Sequence, residues 1–281
     1  MANKILVTGA TGNIGKTLVN ELKALGADFD VMSSKAQSAP NARVGDFNDV
    51  ESLKKAFNGI DTLFLLLPLT ENKLQLAKNA AAAAVAAGVK HIVRSSGAGA
   101  DPGAGFALPK LQGQIDAVLE QTGIPTTFLR PAGFMQNYVT YQTQAIKDGT
   151  VYMADAGQAQ SLIDARDIAA VAARVLLNPA SHAGRAYTLT GGEAFTGVEA
   201  GATLSKLLGR EIKHVSVPTD AAVSAMKEWQ MPDWLIELMD SLNKIVSAGY
   251  ASGVSPDVEN ILGRKPRTFT EFANDNAAAW K

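Results

Sequence analysis

In the first half of the chain, short β-branched or leucine-rich runs alternate with stretches of helical periodicity. Lys4–Thr8, Asp30–Ser33, Ala42–Val44, Leu63–Leu67, His91–Ser95 and Thr126–Leu129 read as strands. Between them, Leu18, Val19, Leu22 and Leu25 recur at helical spacing before Gly26, and further helices are expected over Val50–Phe57 and over Lys73–Ala87, alanine-rich and closed by Gly88. Gln112–Gln121 reads as another, stopped by Gly123 with Pro125 beyond. Such alternation predicts βαβ units feeding a doubly wound parallel sheet with helices on both faces, so the class is α/β.

The second half is less regular. Val151–Ala154, Ala186–Leu189 and Lys213–Val217 look like sheet, whereas Thr196-x-x-Glu199 is a capping box opening a helix to Leu208, and Ser255-Pro256 combines an N-cap residue with a first-turn proline. The pattern implies one domain over residues 1–155 and a mixed region, 156–281, that returns to the sheet and forms a smaller, mostly helical C-terminal substrate lobe, the boundary being blurred across roughly residues 150 to 195.

Composition narrows the chemistry. With 26 Lys+Arg against 27 Asp+Glu in 281 residues the net charge is −1, so no global field recruits nucleic acid or an anionic membrane. The absence of cysteine removes disulfides, thiolate metal sites and a thiol nucleophile. The longest apolar run, Ala80–Ala87, is far shorter than the ~18 residues of a membrane span, and the first residues lack a secretory h-region. A cytoplasmic protein is expected, a monomer or small homo-oligomer with a small-molecule partner and no metal.

The most informative segment is Thr8-Gly9-Ala10-Thr11-Gly12-Asn13-Ile14-Gly15, between the first strand and the first helix. Gly9 can take a turn conformation, Gly12 lets backbone approach a pyrophosphate, and Gly15 lets the helix sit close to the strand; free amides at the helix start then receive the anion. A glycine turn of purely structural purpose is the alternative. The preceding strand and the following amphipathic helix favour dinucleotide binding, hence a Rossmann-like domain. The second strand closes on Ser33-Ser34-Lys35 with no carboxylate, which suits the 2′-phosphate of NADP, so NADPH is preferred and NADH permitted; an ordinary polar loop is the alternative. Leu66-Leu67-Pro68 and Ser95-Ser96-Gly97 end the fourth and fifth strands, where ligands of open α/β sheets sit, and are expected to border the nicotinamide ribose.

The GxxGxxG spacing resembles the extended and atypical short-chain dehydrogenases/reductases. Together with Gly45-Asp46, Gly88-Val89-Lys90-His91-Ile92-Val93, Leu129-Arg130-Pro131-Ala132-Gly133-Phe134-Met135-Gln136-Asn137, Asp167-Ile168-Ala169 and Leu262-Gly263-Arg264, it looks like the NmrA-like branch over almost the whole chain. Within that branch the likeness is to flavin-independent NAD(P)H azoreductases, triphenylmethane reductases and type-2 quinone reductases. The resemblance implies an acidic residue, Asp46 beside Phe47, against the adenine, and nicotinamide-side contacts at Pro131 and Phe134.

One departure bears on mechanism. The short-chain Tyr-x-x-x-Lys pair, in which lysine lowers the tyrosine pKa for proton exchange, falls here on Gln112 and Asp116, and the chain has no other such pair. Reversible alcohol oxidation is therefore disfavoured, leaving hydride delivery to an acceptor already electrophilic: an azo bond first, then a quinone or imine. Lys110, Ser95 and Tyr138 are candidate proton donors, none compelling. A flat aromatic substrate would suit Met135, Tyr138, Tyr141, Trp229, Met231 and Trp234, which also read as core under the lobe. His91, His182 and His214 lack metal-ligand spacing, Asp164 and Asp167 flank Arg166 as a cap and ion pair, and no Gly-x-Ser-x-Gly elbow exists. A non-catalytic dinucleotide sensor of the NmrA type is the alternative to an enzyme.

Overall fold

Strand and helix alternate as the periodicity predicts. In the computed structural model, which describes residues 3–35 and 39–281, the chain runs β1 (Ile5–Val7), α1 (Asn13–Ala24), β2 (Phe29–Ser33), β3 (Ala42–Val44), α2 (Val50–Phe57), β4 (Thr62–Leu65), α3 (Lys73–Ala87), β5 (His91–Ser95), α4 (Ala107–Glu120) and β6 (Thr126–Pro131). It continues as α5 (Asn137–Thr140), α6 (Thr143–Lys147), β7 (Thr150–Met153), α7 (Ala165–Leu177), β8 (Ala186–Leu189), α8 (Gly197–Leu208), β9 (Lys213–Ser216), α9 (Thr219–Glu228), α10 (Asp233–Ser247), α11 (Asp257–Leu262) and α12 (Phe269–Asn276).

Two compact units divide the chain, and they interleave. One holds residues 1–104, 109–131 and 168–188; the other holds 105–108, 132–167 and 189–281. The expected boundary at residue 155 does not describe this division, because the chain leaves the first unit after Pro131 and returns to it for most of α7 and for β8, whose backbone completes the sheet.

The first unit is built on a seven-stranded sheet ordered β3-β2-β1-β4-β5-β6-β8, in which the pairs from β3 through β6 are parallel. Strand alternation splits its side chains between two faces. Leu6, Leu63, Leu65, Ile92 and Phe128 enter one core with Leu53 and Phe57 of α2, Leu76, Ala77, Ala80 and Ala84 of α3, and Ile115 and Leu119 of α4. Ile5, Val7, Phe64 and Val93, on the other face, are equally buried, so helices cover both sides as a parallel sheet requires. α4 begins five residues before the expected Gln112, with Pro109 in its first turn, where the missing N–H costs no helical bond. Lys110, a candidate proton donor, is thus an exposed residue of that helix.

The second unit is mostly helical and contains a two-stranded parallel ribbon, β7 with β9. Its core gathers Met135, Tyr138, Ile146, Val151, Leu204, Phe269, Phe272 and Trp280. The expected capping box at Thr196 and Glu199 forms on α8, and Thr268 with Glu271 repeats it on α12. At α11 the N-cap is Pro256, one residue beyond the expected Ser255, whose hydroxyl still accepts the Asp257 amide at 3.2 Å. No helix among the described residues is long and apolar enough to cross a membrane.

Candidate functional site

The glycine turn joins β1 to α1 through close backbone contacts. Gly9 has φ +67°, and a Cβ there would lie 2.8 Å from a Leu66 methyl. A Cβ on Gly15 would stand 2.0 Å from the Gly9 carbonyl oxygen, so α1 can start against its own turn only because residue 15 lacks a side chain. Gly12 differs: its nearest neighbour to an added Cβ is the Gly9 oxygen at 3.5 Å, which leaves the space in front of it open. No side chain caps α1 at Gly12, so its first-turn amides are left for an external acceptor. Thr8 fastens the turn to β4, with its buried hydroxyl within 3.0 and 3.1 Å of the Phe64 and Leu66 carbonyls and accepting the Leu66 amide at 2.8 Å.

In front of this turn lies a cavity of about 610 Å³, built wholly from the first unit. Four strand ends contribute to it: Gly9, Thr11 and Gly12 after β1; Ser33 and Ser34 at the end of β2; Asp46 and Phe47 after β3; Leu67 and Pro68 after β4. Nine predicted cofactor contacts are therefore brought together. The Asp46 carboxylate accepts the Asn48 amide and side chain at 2.9 and 3.1 Å through one oxygen, leaving the second without a partner among the described residues on an exposed rim. Asn72 and Thr70 extend the wall, and the Thr70 hydroxyl is buried with no hydrogen-bond partner among the described residues.

The other predicted contacts fall elsewhere. Ile14 and Gly15 are buried behind the turn and Asn13 is exposed at the start of α1. Lys35 is exposed beside the cavity rim, its amide donating to the Ser33 hydroxyl at 3.3 Å. Ser95 and Ser96 are buried, and the Ser96 hydroxyl is taken up by the Asp116 carboxylate at 2.9 and 3.0 Å. Pro131 is buried at the end of β6, and Phe134 belongs to the second unit, bridged to Ile163.

Gln112 and Asp116, at the positions of the missing Tyr and Lys, anchor a buried polar cluster. Asp116 accepts from Arg94 at 2.5 Å and from Arg130 at 3.1 Å, and Gln112 accepts from Arg94 at 2.7 Å. Arg94 is 1 % exposed, and burial lowers its pKa to about 10 although Asp116 opposes the shift. Lys73, in the first turn of α3 between the wall residues Asn72 and Leu76, is 8 % exposed; burial, followed by repulsion from Arg94, lowers its pKa to about 8. Sequence reasoning passed over Lys73 and Arg94, yet the signal was present. Lys73, Leu76, Ala77 and Ala80 share the i, i+3, i+4, i+7 stripe, and Arg94 alternates with the buried Ile92.

The predicted substrate wall does not assemble as one surface. Met135 and Tyr138 are core residues of the second unit, where Tyr138 packs on Phe269 with centroids 4.8 Å apart and its hydroxyl faces the Met153 sulfur at 3.8 Å. Burial pushes its phenol pKa up, so it is a poor proton donor. Trp229 and Tyr141 are 74 % and 78 % exposed, while Met231, before α10, and Trp234, on it, are half-buried. Asp164 accepts the Arg166 amide and guanidinium, as the cap-and-pair reading requires, and Asp167 is met by Arg264 and Arg267. No group of three metal-ligating side chains occurs among the described residues.

Sheet order, an open glycine turn at the first βα crossing and a cavity over four strand ends define a Rossmann-like α/β protein. More narrowly, the chain belongs to the NmrA-like family, whose profile matches residues 1–273. It is 37 % identical over 284 residues to the NAD(P)H azoreductase of Xenophilus azovorans, covering 98 % of this chain and 99 % of that one. Among solved structures it resembles the NADPH-dependent quinone oxidoreductase of Escherichia coli complexed with NADPH, with a TM-score of 0.86, 26 % identity and coverage of 96 % and 99 %. It also resembles the triphenylmethane reductase of Citrobacter sp. complexed with NADP(H), with a TM-score of 0.84, 26 % identity and coverage of 98 % and 99 %.

Proposed function

We propose that the chain, an NAD(P)H-dependent oxidoreductase of the NmrA-like family, binds NADPH in the cavity over β1 to β4 and reduces a flat, electron-poor acceptor without a flavin. An azo compound is the first choice, with quinones and imines next. The observation that carries this reading is the convergence of the glycine turn, Ser33-Ser34, Asp46-Phe47 and Leu67-Pro68 on one cavity. The residues present fit a dinucleotide. Gly12 leaves room for a diphosphate against uncapped amides, the orphaned Thr70 hydroxyl offers a hydrogen bond, and β2 closes without a carboxylate to repel a 2′-phosphate.

In this assignment Gly9, Thr11 and Gly12 hold the pyrophosphate, Ser33, Ser34 and Lys35 the 2′-phosphate, Asp46 and Phe47 the adenine, and Leu67 and Pro68 the ribose of the nicotinamide. Bound there, the cofactor supplies hydride. The azoreductase relative and the NADPH- and NADP(H)-bound structures support both cofactor and acceptor class. Ser96, Met135 and Tyr138 are not carried into the site, since a hydrogen bond engages the first and core packing the other two.

Calorimetry and an acceptor panel test the reading together. NADPH is expected to bind and to be oxidised with azo dyes, quinones or cyclic imines. Binding without oxidation by any acceptor would establish the sensor function instead, and a yellow purified protein would overturn the flavin-free route. Lys35→Ala should reduce the preference for NADPH over NADH roughly tenfold, the worth of one charge-assisted hydrogen bond; an unchanged ratio removes Lys35 from phosphate binding.

A further inference from the structure

Buried polar atoms are ordinarily hydrogen-bonded, and each exception asks for a reason. Three side-chain polar atoms are buried without a partner among the described residues: the Nε groups of Arg94 and Arg130, and the Thr70 hydroxyl. Asp116 holds both arginines by their terminal nitrogens and neither lines the cavity, whereas Thr70 is a half-buried residue of its wall. The Thr70 backbone is fixed, because its carbonyl accepts the Lys73 amide at 3.1 Å in the turn that opens α3. No protein group among the described residues holds its hydroxyl. The staggered positions of χ1 lie about 120° apart, so a ligand in the cavity can draw the oxygen to itself without breaking a bond inside the protein.

The two ends of the loop between β4 and α3 show which part of a dinucleotide lies beside Thr70. Leu66, at the start, is tied to the glycine turn: its amide donates to the Thr8 hydroxyl at 2.8 Å, and its side chain lies against Gly9. Asn72, at the end, donates to the Asn48 side chain at 3.1 Å, and Asn48 in turn donates to Asp46 at 3.1 Å. On α3, Leu76 lines the cavity and Asn79 donates to the Phe47 carbonyl at 2.8 Å. The loop thus runs from the diphosphate end of the cavity to the adenine end, where Thr70 stands two residues before Asn72. Asp46 and Thr70 complement each other there, since a carboxylate only accepts and a hydroxyl can donate. An adenosine carries both an amino donor and ring-nitrogen acceptors.

We infer that the Thr70 hydroxyl donates a hydrogen bond to the adenosine half of the cofactor, an assignment that rests on the NADPH-binding reading above and fixes which half of the dinucleotide Thr70 anchors. The bond displaces none inside the protein. Deleting the hydroxyl therefore removes affinity for the cofactor without removing a contact of the cofactor-free fold, and it relieves that fold of an unpaired buried group. A residue kept for packing would show the opposite pattern, with stability lost and affinity following only through the damaged fold.

Two variants of the whole chain test the assignment: Thr70→Val keeps the branched shape and deletes the donor, whereas Thr70→Ser keeps the donor. By calorimetry, Thr70→Val should bind NADPH about fivefold more weakly, the worth of one neutral hydrogen bond. It should bind 2′,5′-ADP, which lacks the nicotinamide half, more weakly by the same factor. Thr70→Ser should stay within about twofold of wild type for both ligands. In urea without cofactor, the midpoint of Thr70→Val should equal or exceed that of wild type. A lowered midpoint would show the hydroxyl bonded inside the protein and overturns the assignment. Weakened NADPH with unaffected 2′,5′-ADP overturns it as well, because the contact then falls on the nicotinamide half. So do an unchanged Kd for NADPH in Thr70→Val and a serine variant as weak as the valine. Wild type that gives no heat with NADPH or with 2′,5′-ADP overturns the cofactor reading, and the assignment with it.

Discussion

A single buried cation can set how stability depends on pH, and Lys73 does so with a definite sign. Its folded pKa of about 8 lies below the 10.5 of an ordinary lysine, so between those values the unfolded chain binds more protons than the folded one, and stability rises with pH. Below pH 8 both states are protonated and the folded state carries the full penalty, on the order of 3 kcal/mol for a shift of this size. Urea unfolding should therefore show wild type gaining stability between pH 8 and 10.5 relative to Lys73→Met, and the variant should be the more stable protein at pH 7. Parallel pH profiles for the two proteins would mean that Lys73 is not charged and buried. Arg94 is also pushed down, to about 10, by burial, although Asp116 and Gln112 occupy its terminal nitrogens.

At the scale of elements, the turn between β1 and α1 sets an uncrowded glycine and a crowded one three residues apart. Gly12→Ala places a methyl in the cavity with no backbone closer than 3.5 Å, and the φ of −79° suits alanine. It should fold with an unchanged urea midpoint and bind NADPH at least tenfold more weakly. Gly15→Ala drives a methyl to 2.0 Å from the Gly9 carbonyl, which only a shift of α1 relieves. Its expected cost is about 1–3 kcal/mol of stability, with weakened NADPH binding following from the displaced amides. Equal midpoint shifts for the two variants would contradict this division. The positive φ of Gly9 and the close approach at Gly15 were legible in the sequence, because a glycine turn between strand and helix has few geometric solutions. The bounds of α2 and α3 were equally legible, since Asp49 caps one and Gly88, with φ 71°, closes the other. The start of α4 was not, because Pro109 reads as a helix breaker until its first-turn position is known.

Across the whole molecule, legibility follows how local the determining contacts are. The first unit's strands declare themselves by runs of apolar residues, whereas in the mostly helical second unit no local pattern tells which of its aromatics faces inward. Trp229 and Trp280 illustrate the difference. Both follow short helical segments, yet Trp229 is 74 % exposed, whereas Trp280 is 1 % exposed, packs on Phe272 with centroids 6.4 Å apart and donates its indole N–H to the Tyr138 carbonyl at 3.1 Å. That bond spans 142 residues and closes the last helices of the second unit onto the segment after Pro131. Removing the indole leaves a cavity and an unpaired carbonyl, so Trp280→Ala should cost about 3–5 kcal/mol, a large share of the ~5–15 kcal/mol that holds a folded protein. Trp229→Ala should stay within about 0.5 kcal/mol of wild type in urea unfolding. The same pair of variants bears on the substrate: if Trp229 stacks on a flat acceptor, its alanine variant raises KM for the azo dye without moving the unfolding midpoint. An unchanged KM would assign that tryptophan to the surface alone.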